Sequence, residues 1–133
     1  MRVLSFTIPG DPVPAQMGTL LPGGGVATKG RALGRMRAYR DRARLFTMQA
    51  VTAHPTWDAR HGRPMGVTLA CHVGDARTVD VDNLAKNLLD AMKGNAFRDD
   101  AQVVRLLVTK VVDRERPRVE VTIEEATDDD DAK

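Results

Sequence analysis

The groups able to do chemistry concentrate in Asp80-Val81-Asp82-Asn83-Leu84-Ala85-Lys86-Asn87-Leu88-Leu89-Asp90 and, after a glycine turn, Asp99-Asp100-Ala101-Gln102-Val103. Asp80 and Asp82 stand two apart just beyond an apolar strand. Extended backbone there points both side chains to one side, about 6.8 Å apart at Cα, where two carboxylates can clasp a hard cation. Lys86 is four residues past Asp82 and Asp90 four past Lys86. On a helix beginning near Asp82 these three share one face, while Leu84, Leu88 and Ala91 turn toward a core. Asp99-Asp100 sits where a loop enters a strand from Ala101. If that strand neighbours the one ending at Val73, a third carboxylate approaches the first two, and only one of the adjacent pair can face them. Three convergent carboxylates and a lysine suit magnesium-dependent phosphodiester hydrolysis. Magnesium prefers oxygen ligands and keeps some waters. Two such ions roughly 4 Å apart can activate a water and stabilise a leaving 3′-oxygen, with the lysine offsetting phosphate charge. Each fragment also has a structural reading: Asp82 as a helix cap, Lys86 with Asp90 as a solvated ion pair, Asp99-Asp100 as a turn. The conjunction favours a site.

Other chemistries lack their parts. The three histidines show no ligand spacing, and there is no nucleophile elbow, phosphate-binding Walker loop or zinc-type cysteine pair. Cys71 is the only cysteine and sits in an apolar run, so it reads as a small hydrophobe. His72 alternates away from the Cys71 face, some distance before the aspartates.

The elements that must position these residues follow from periodicity. Val3 to Ile8 alternates, with Leu4, Phe6 and Ile8 on one face, and ends at Pro9-Gly10. Pro12, Pro14, Pro22 and Gly23-Gly24-Gly25 deny regular structure to most of the next two dozen residues, giving a long loop closed by Lys29, Arg31 and Arg35. From about Arg35 to Ala53, the residues Met36, Tyr39, Ala43, Phe46, Ala50 and Ala53 recur at helical spacing. Val67 to Val73 is a second strand, and a second helix runs from about Asp82 to Met92, stopped at Lys93-Gly94-Asn95. The nearly continuous apolar run Val103 to Val112 is expected as a central strand. The alternation of Val119, Val121 and Ile123 marks a last strand, expected to form an antiparallel hairpin with it through Asp113-Arg114-Glu115-Arg116-Pro117. The order β-α-β-α-β-β predicts an α+β domain over residues 1–127, a mixed four-stranded sheet with two helices. Residues 128–133, four aspartates and two more, read as a disordered acidic tail.

At 133 residues and 42% hydrophobic content the chain holds one core, and no apolar stretch reaches a membrane span or a secretory signal, so a cytoplasmic protein without membrane contact is expected. The net charge of +2 hides an asymmetry: ten basic residues against three acidic through Arg63, then ten against fifteen. Clustered arginine beside clustered carboxylate suits a polyanion held against a metal site. Lys29, Arg31, Arg35, Arg37, Arg40, Arg44 and Arg77 are the candidate DNA contacts; a solvated basic face is the alternative for the helix.

The motif Asp80-Val81-Asp82-Asn83-Leu84-x-Lys86-x3-Asp90-Ala91, a glycine turn, then Asp99-Asp100-Ala101-Gln102-Val103 resembles the core signature of the RusA-type Holliday junction resolvases, crossover junction endodeoxyribonucleases. The likeness extends along nearly the whole chain. It implies Mg2+, with Mn2+ as substitute, on Asp80, Asp82 and Asp100, with Lys86 assisting catalysis; Asp90, Asp99 and Asn83 are the candidate supporting residues beside them. It also implies a homodimer making paired symmetric nicks in four-way DNA junctions. Twofold symmetry suits that task, since one small protomer offers one acidic site. Two departures bear on substrate preference: Val79 stands where many relatives place a basic residue, with Arg77 two residues earlier, and Pro12-Val13-Pro14-Ala15-Gln16-Met17 stands where relatives often carry lysine and arginine. The alternatives are a less selective phage nuclease acting on flaps, forks or duplex DNA, and a DNA-binding module whose carboxylates are structural.

Overall fold

A computed structural model describes residues 2–15, 19–20, 26–27, 30–75 and 79–126. Lys29, Arg77 and the acidic tail lie outside the described residues.

Alternation builds the sheet. β1 (Val3–Pro9) buries Leu4 and Ile8 and leaves Ser5 and Thr7 exposed. In the segment expected to be irregular, β2 (Thr19–Leu20) and β3 (Val26–Ala27) form a short antiparallel ladder. α1 (Gly30–Thr52) starts about five residues before the expected Arg35 and buries Met36, Tyr39, Ala43 and Thr47. The Thr47 hydroxyl donates back to the Ala43 carbonyl at 2.7 Å, satisfying a buried polar group inside the helix. Beyond α1, the Trp57 indole N–H donates to the Ala96 carbonyl at 2.9 Å and pins the connector to the far end of the second helix.

β4 (Met65–Val73) buries Val67, Leu69, Cys71 and Val73 completely. α2 (Val81–Met92) buries Leu84, Ala85, Leu88, Ala91 and Met92 on one stripe. β5 (Val103–Val112) and β6 (Arg118–Glu125) complete a four-stranded sheet of order β1-β6-β4-β5. β6 is antiparallel to both β1 and β4, while β4 and β5 are parallel. The rows Leu4–Ile123–Val67 and Phe6–Val121–Leu69 share the face covered by both helices.

Two expectations are overturned. β5 is an edge strand, not a central one, and it makes no hairpin with β6. A helical crossover between β4 and β5 makes them parallel neighbours. The following link passes the end of β4, where Asp113 N donates to the Val73 carbonyl at 2.8 Å, and delivers β6 to the other side. There Val119, Val121 and Ile123 can be buried between β1 and β4. The link holds its shape because the Asp113 carboxylate accepts the Glu115 and Arg116 amides at 3.2 and 3.1 Å and the Arg118 guanidinium at 2.9 Å.

On the opposite face Gly66 has a specific use. It lies between Arg105 on β5 and Glu124 on β6, and those two pair across it at 2.6 Å. A Cβ at position 66 would occupy the place of the Arg105 guanidinium.

Candidate active site

α2 carries the central residues, and its start differs from the expected one. Asp80 is the N-cap, in extended conformation, and its carbonyl accepts the Leu84 amide at 3.0 Å. Val81 is therefore the first helical residue and Asp82 lies in the first turn, rather than both aspartates standing in an extended chain. The Asp80 side chain makes no capping bond, and among the described residues the Asp82 carboxylate accepts its neighbour's amide, Asn83 N, at 3.0 Å and no other. Both are exposed. The unsatisfied N–H groups of a helix start favour negative charge close by, which suits the placement of both carboxylates there.

Lys86 projects from the same exposed face and makes no salt bridge with a described residue. Asp90 does not neutralise it. Instead Asp90 faces Arg40 of α1 at 3.6 Å, and Arg40 Nε also donates to Asn87 Oδ1 at 2.9 Å. Arg40, expected to touch DNA, is thus half-buried between the helices. Arg31, Arg35, Arg37 and Arg44 are exposed on α1 with no ion pair to a described residue. Asn83 is half-buried, and its carbonyl accepts the Ala15 amide at 2.9 Å, which docks the proline-rich stretch on the first turn of α2.

The later aspartates divide their roles. Asp99 caps the short 3-10 turn Asp100–Gln102: its carboxylate accepts Ala101 N at 3.1 Å, and the Gln102 side chain accepts the Asp99 amide at 3.0 Å. That capping box occupies Asp99 and leaves Asp100 available. Asp100 Oδ1 is buried with no hydrogen-bond partner among the described residues. Its carboxyl is pushed above the usual range, first by desolvation, with Lys93 opposing and Asp90 and Asp99 adding, and with Lys86 opposing more weakly.

The three carboxylates expected to converge do not do so within this chain. Among the described residues no group of three or more His, Cys, Asp or Glu is close enough to hold a metal ion. The parallel register is the reason. Val103 pairs with Met65 at the start of β4, whereas Asp80 follows the end of β4 at Val73. Between them runs α2, twelve residues or about 18 Å long. Asp80 and Asp82 fit a hard, oxygen-preferring cation as a pair; Asp100 stands at the other end of the helix.

Sequence reasoning missed two residues. Asn87, fully buried, donates to the Val13 carbonyl at 2.9 Å and the Met36 carbonyl at 3.3 Å, so it ties the proline-rich stretch, α1 and α2 together. A lone amide within the stripe Leu84, Leu88, Ala91 was the available signal. Lys110 donates to the Val79 carbonyl and holds the approach to Asp80 against the far end of β5; its interruption of an apolar run was the signal there. His72 lies on the open face, 3.8 Å from Glu120, with the sheet between it and α2.

A family model described as Endodeoxyribonuclease RusA matches residues 9–124. The chain is 36% identical over 90 residues to Crossover junction endodeoxyribonuclease RusA of Escherichia coli (strain K12), covering 67% of this chain and 71% of that protein. It is 41% identical over 63 residues to Crossover junction endodeoxyribonuclease rusA of Enterobacteria phage 82, covering 47% and 52%. It is also 48% identical over 48 residues to Uncharacterized protein YqaN of Bacillus subtilis (strain 168), covering 36% and 33%.

Proposed function

The chain belongs to the RusA family of endodeoxyribonucleases, and on that premise we propose that it is a metal-dependent nuclease that resolves four-way DNA junctions by paired symmetric nicks as a homodimer. The observation that carries the reading is the start of α2. Two exposed carboxylates, Asp80 and Asp82, flank the first helical residue, and Lys86 stands one turn on, unpaired to any described residue. Mg2+, with Mn2+ as substitute, suits this donor set: the oxygens are hard and their exposure leaves room for retained waters. When bound, the ion supplies an activated water and stabilises charge on the leaving oxygen. Asp80 and Asp82 would hold it; Asp100, whose Oδ1 has no partner among the described residues, is the third carboxylate the family resemblance implies, although it stands at the other end of α2 in the same chain. Lys86 offers its ammonium to the scissile phosphate, which it can do because Asp90 is engaged by Arg40. Asn83 and Asp99 act behind these groups, the first by docking Ala15 and the second by fixing the turn that carries Asp100.

The exposed arginines of α1, Arg31, Arg35, Arg37 and Arg44, supply phosphate contacts, joined by Lys29 and Arg77 on grounds of sequence position. No helix among the described residues is long and apolar enough to cross a membrane, and the cytoplasm is the proposed compartment.

The test compares labelled four-way, forked and linear DNA at matched salt, in Mg2+ and in EDTA. Symmetric paired nicks in the four-way substrate, abolished by EDTA, are expected. Equal cutting of all three refutes junction selectivity, and binding without nicking in either Mg2+ or Mn2+ refutes the nuclease assignment.

A further inference from the structure

Arg35, Ala38, Tyr39 and Arg42 form a stripe along one side of α1 at helical spacing, and they face Val13 of the proline-rich stretch across an open cleft of about 320 Å3. Tyr39 is buried, while Arg35, Ala38 and Arg42 are exposed. Arg42 is held in place without any ligand. Its Nη1 donates to the Pro9 carbonyl at 3.1 Å, and the chain passes close to it because residue 10 is a glycine, at φ 102°; a Cβ there would meet Nη1 at 2.5 Å. That bond uses one of several N–H donors on the guanidinium. No carboxylate among the described residues pairs with Arg35 or Arg42. Asp11, the acidic residue of the proline-rich stretch, accepts the Gly74 amide at 3.0 Å.

The cleft adjoins the acidic helix start. The Val13 carbonyl accepts Asn87 Nδ2 at 2.9 Å and Ala15 N donates to the Asn83 carbonyl at 2.9 Å, so the wall opposite α1 is fastened to α2. Asn83 follows Asp82 directly, and Asn87 lies five residues past it, about 7.5 Å along the helix. Arg35 and Arg42 stand seven residues, or about 10.5 Å, apart on α1, and because both line one cleft their long side chains can close on a single anion between them. A fixed guanidinium without a counter-charge suits a phosphate, whose oxygens accept paired N–H donors.

We propose that Arg35 and Arg42 form a phosphate subsite that grips one phosphodiester of the DNA strand near the one to be cut. The inference rests on the nuclease reading for what happens at Asp80 and Asp82. It gives the proline-rich stretch a use: Pro9 and Gly10 set the Arg42 guanidinium, and Val13 closes the cleft. One phosphate seated between the two arginines fixes the strand's register, so that a phosphate further along it is led toward Lys86 and the carboxylate pair. Arg37 and Arg44, also seven residues apart on α1, are not part of the cleft and each contact a phosphate singly.

The experiment has two arms, both in EDTA so that no DNA is cut. In the first, the full chain labelled with nitrogen-15 is titrated with inorganic phosphate, and with chloride at matched ionic strength, while the arginine Nε–H resonances are followed. Those of Arg35 and Arg42 should move along one saturating curve in phosphate and stay put in chloride. In the second, affinity for a fluorescent four-way junction is measured across a salt series. Arg35→Ala and Arg42→Ala should each weaken binding several-fold, and the double variant by less than the product of the two, with a total loss of slope near 0.9 because only one phosphate is given up. Arg37→Ala with Arg44→Ala, outside the cleft, should show losses that multiply and a slope lower by up to about 1.8. Arg42→Gln keeps a donor for the Pro9 carbonyl and should match Arg42→Ala in DNA binding, which separates lost charge from a disturbed fold. Multiplying losses for Arg35 and Arg42, or an Arg42 resonance indifferent to phosphate, overturns the proposal. A phosphate-dependent shift together with wild-type junction affinity in both Arg42 variants marks a site for free phosphate and overturns the assignment to DNA. Failure of wild type to cut junctions in Mg2+ would sink the nuclease reading alone, since neither arm depends on cleavage.

Discussion

Replacing Asn87 by alanine should cost about 2.5 kcal/mol of stability, and the figure follows from what its amide touches. Its Oδ1 accepts Arg40 Nε at 2.9 Å, and its Nδ2 donates to the Val13 carbonyl at 2.9 Å and the Met36 carbonyl at 3.3 Å. The Met36 carbonyl lies within α1, where the helix ladder already serves it, so that third bond adds little. Losing the Val13 bond costs about 1 kcal/mol, and losing a bond to a charged donor costs about 1.5 kcal/mol at the low end of its range. The low end applies because Arg40 is 27% exposed, can rehydrate, and retains Asp90. For a domain of this size the sum corresponds to a Tm lower by about 10 °C. Urea and thermal unfolding followed by circular dichroism, at fixed protomer concentration so that association does not enter the comparison, give the value. A loss below about 0.5 kcal/mol would falsify the view that this amide joins the proline-rich stretch, α1 and α2.

Asp82→Asn keeps the side chain's size and its acceptor for the Asn83 amide while removing the charge a metal needs, so cleavage should fall by orders of magnitude with junction binding retained in a gel-shift assay. Wild-type nicking by that variant in Mg2+ would sink the metal assignment. Arg37→Ala with Arg44→Ala should lower the slope of log affinity against log salt by up to about 0.9 per lost phosphate contact, whereas Arg40→Ala should chiefly lower thermal stability; the reverse pattern would exchange their roles. Asp113 is held below the usual carboxylate range first by the Arg116 amide and then by the Arg118 guanidinium. A depressed folded pKa adds stability above the unfolded value and loses it as pH falls through the folded one. The Tm gap between wild type and Asp113→Ala should therefore be full at neutral pH and close as pH falls below about 3.9; a gap constant down to pH 2 contradicts the charge-based account.

Local pattern carried most of the elements and little of their arrangement. The alternation of Leu4 with Ile8 and of Val119 with Ile123, and the helical spacing from Met36 to Ala50, mark elements that the fold contains. Strand order was not legible. Val103–Val112 is apolar on both faces, a pattern expected of a strand enclosed by its own domain, yet it lies on an edge with both faces exposed. The Asp-x-Asp spacing identified the pair but not its backbone: with Asp80 extended and Val81 helical, the two side chains flank a helix start. Arg40 looked like its basic neighbours because nothing local announces that Asn87, 47 residues later, will take its Nε. The choice between Asp99 and Asp100 was decided by Gln102, whose side chain completes the capping box with the first and leaves the second uncommitted.

β6 follows every other strand in the chain yet lies between β1 and β4. Val3 pairs with Glu124 and Pro9 with Arg118, so the first strand has no sheet partner until 118–125 have been made. A nascent chain must therefore hold Leu4, Ile8 and the unpaired side of β4 in an unfinished state for nearly the whole of its synthesis. Contacts of such sequence separation form late and slowly, and the exposed segments are what chaperones bind. Ribosome-bound chains stalled with Pro117 just outside the exit tunnel should be cleaved by protease as readily as unfolded protein, and resistance should arrive in one step once Ala126 has cleared it.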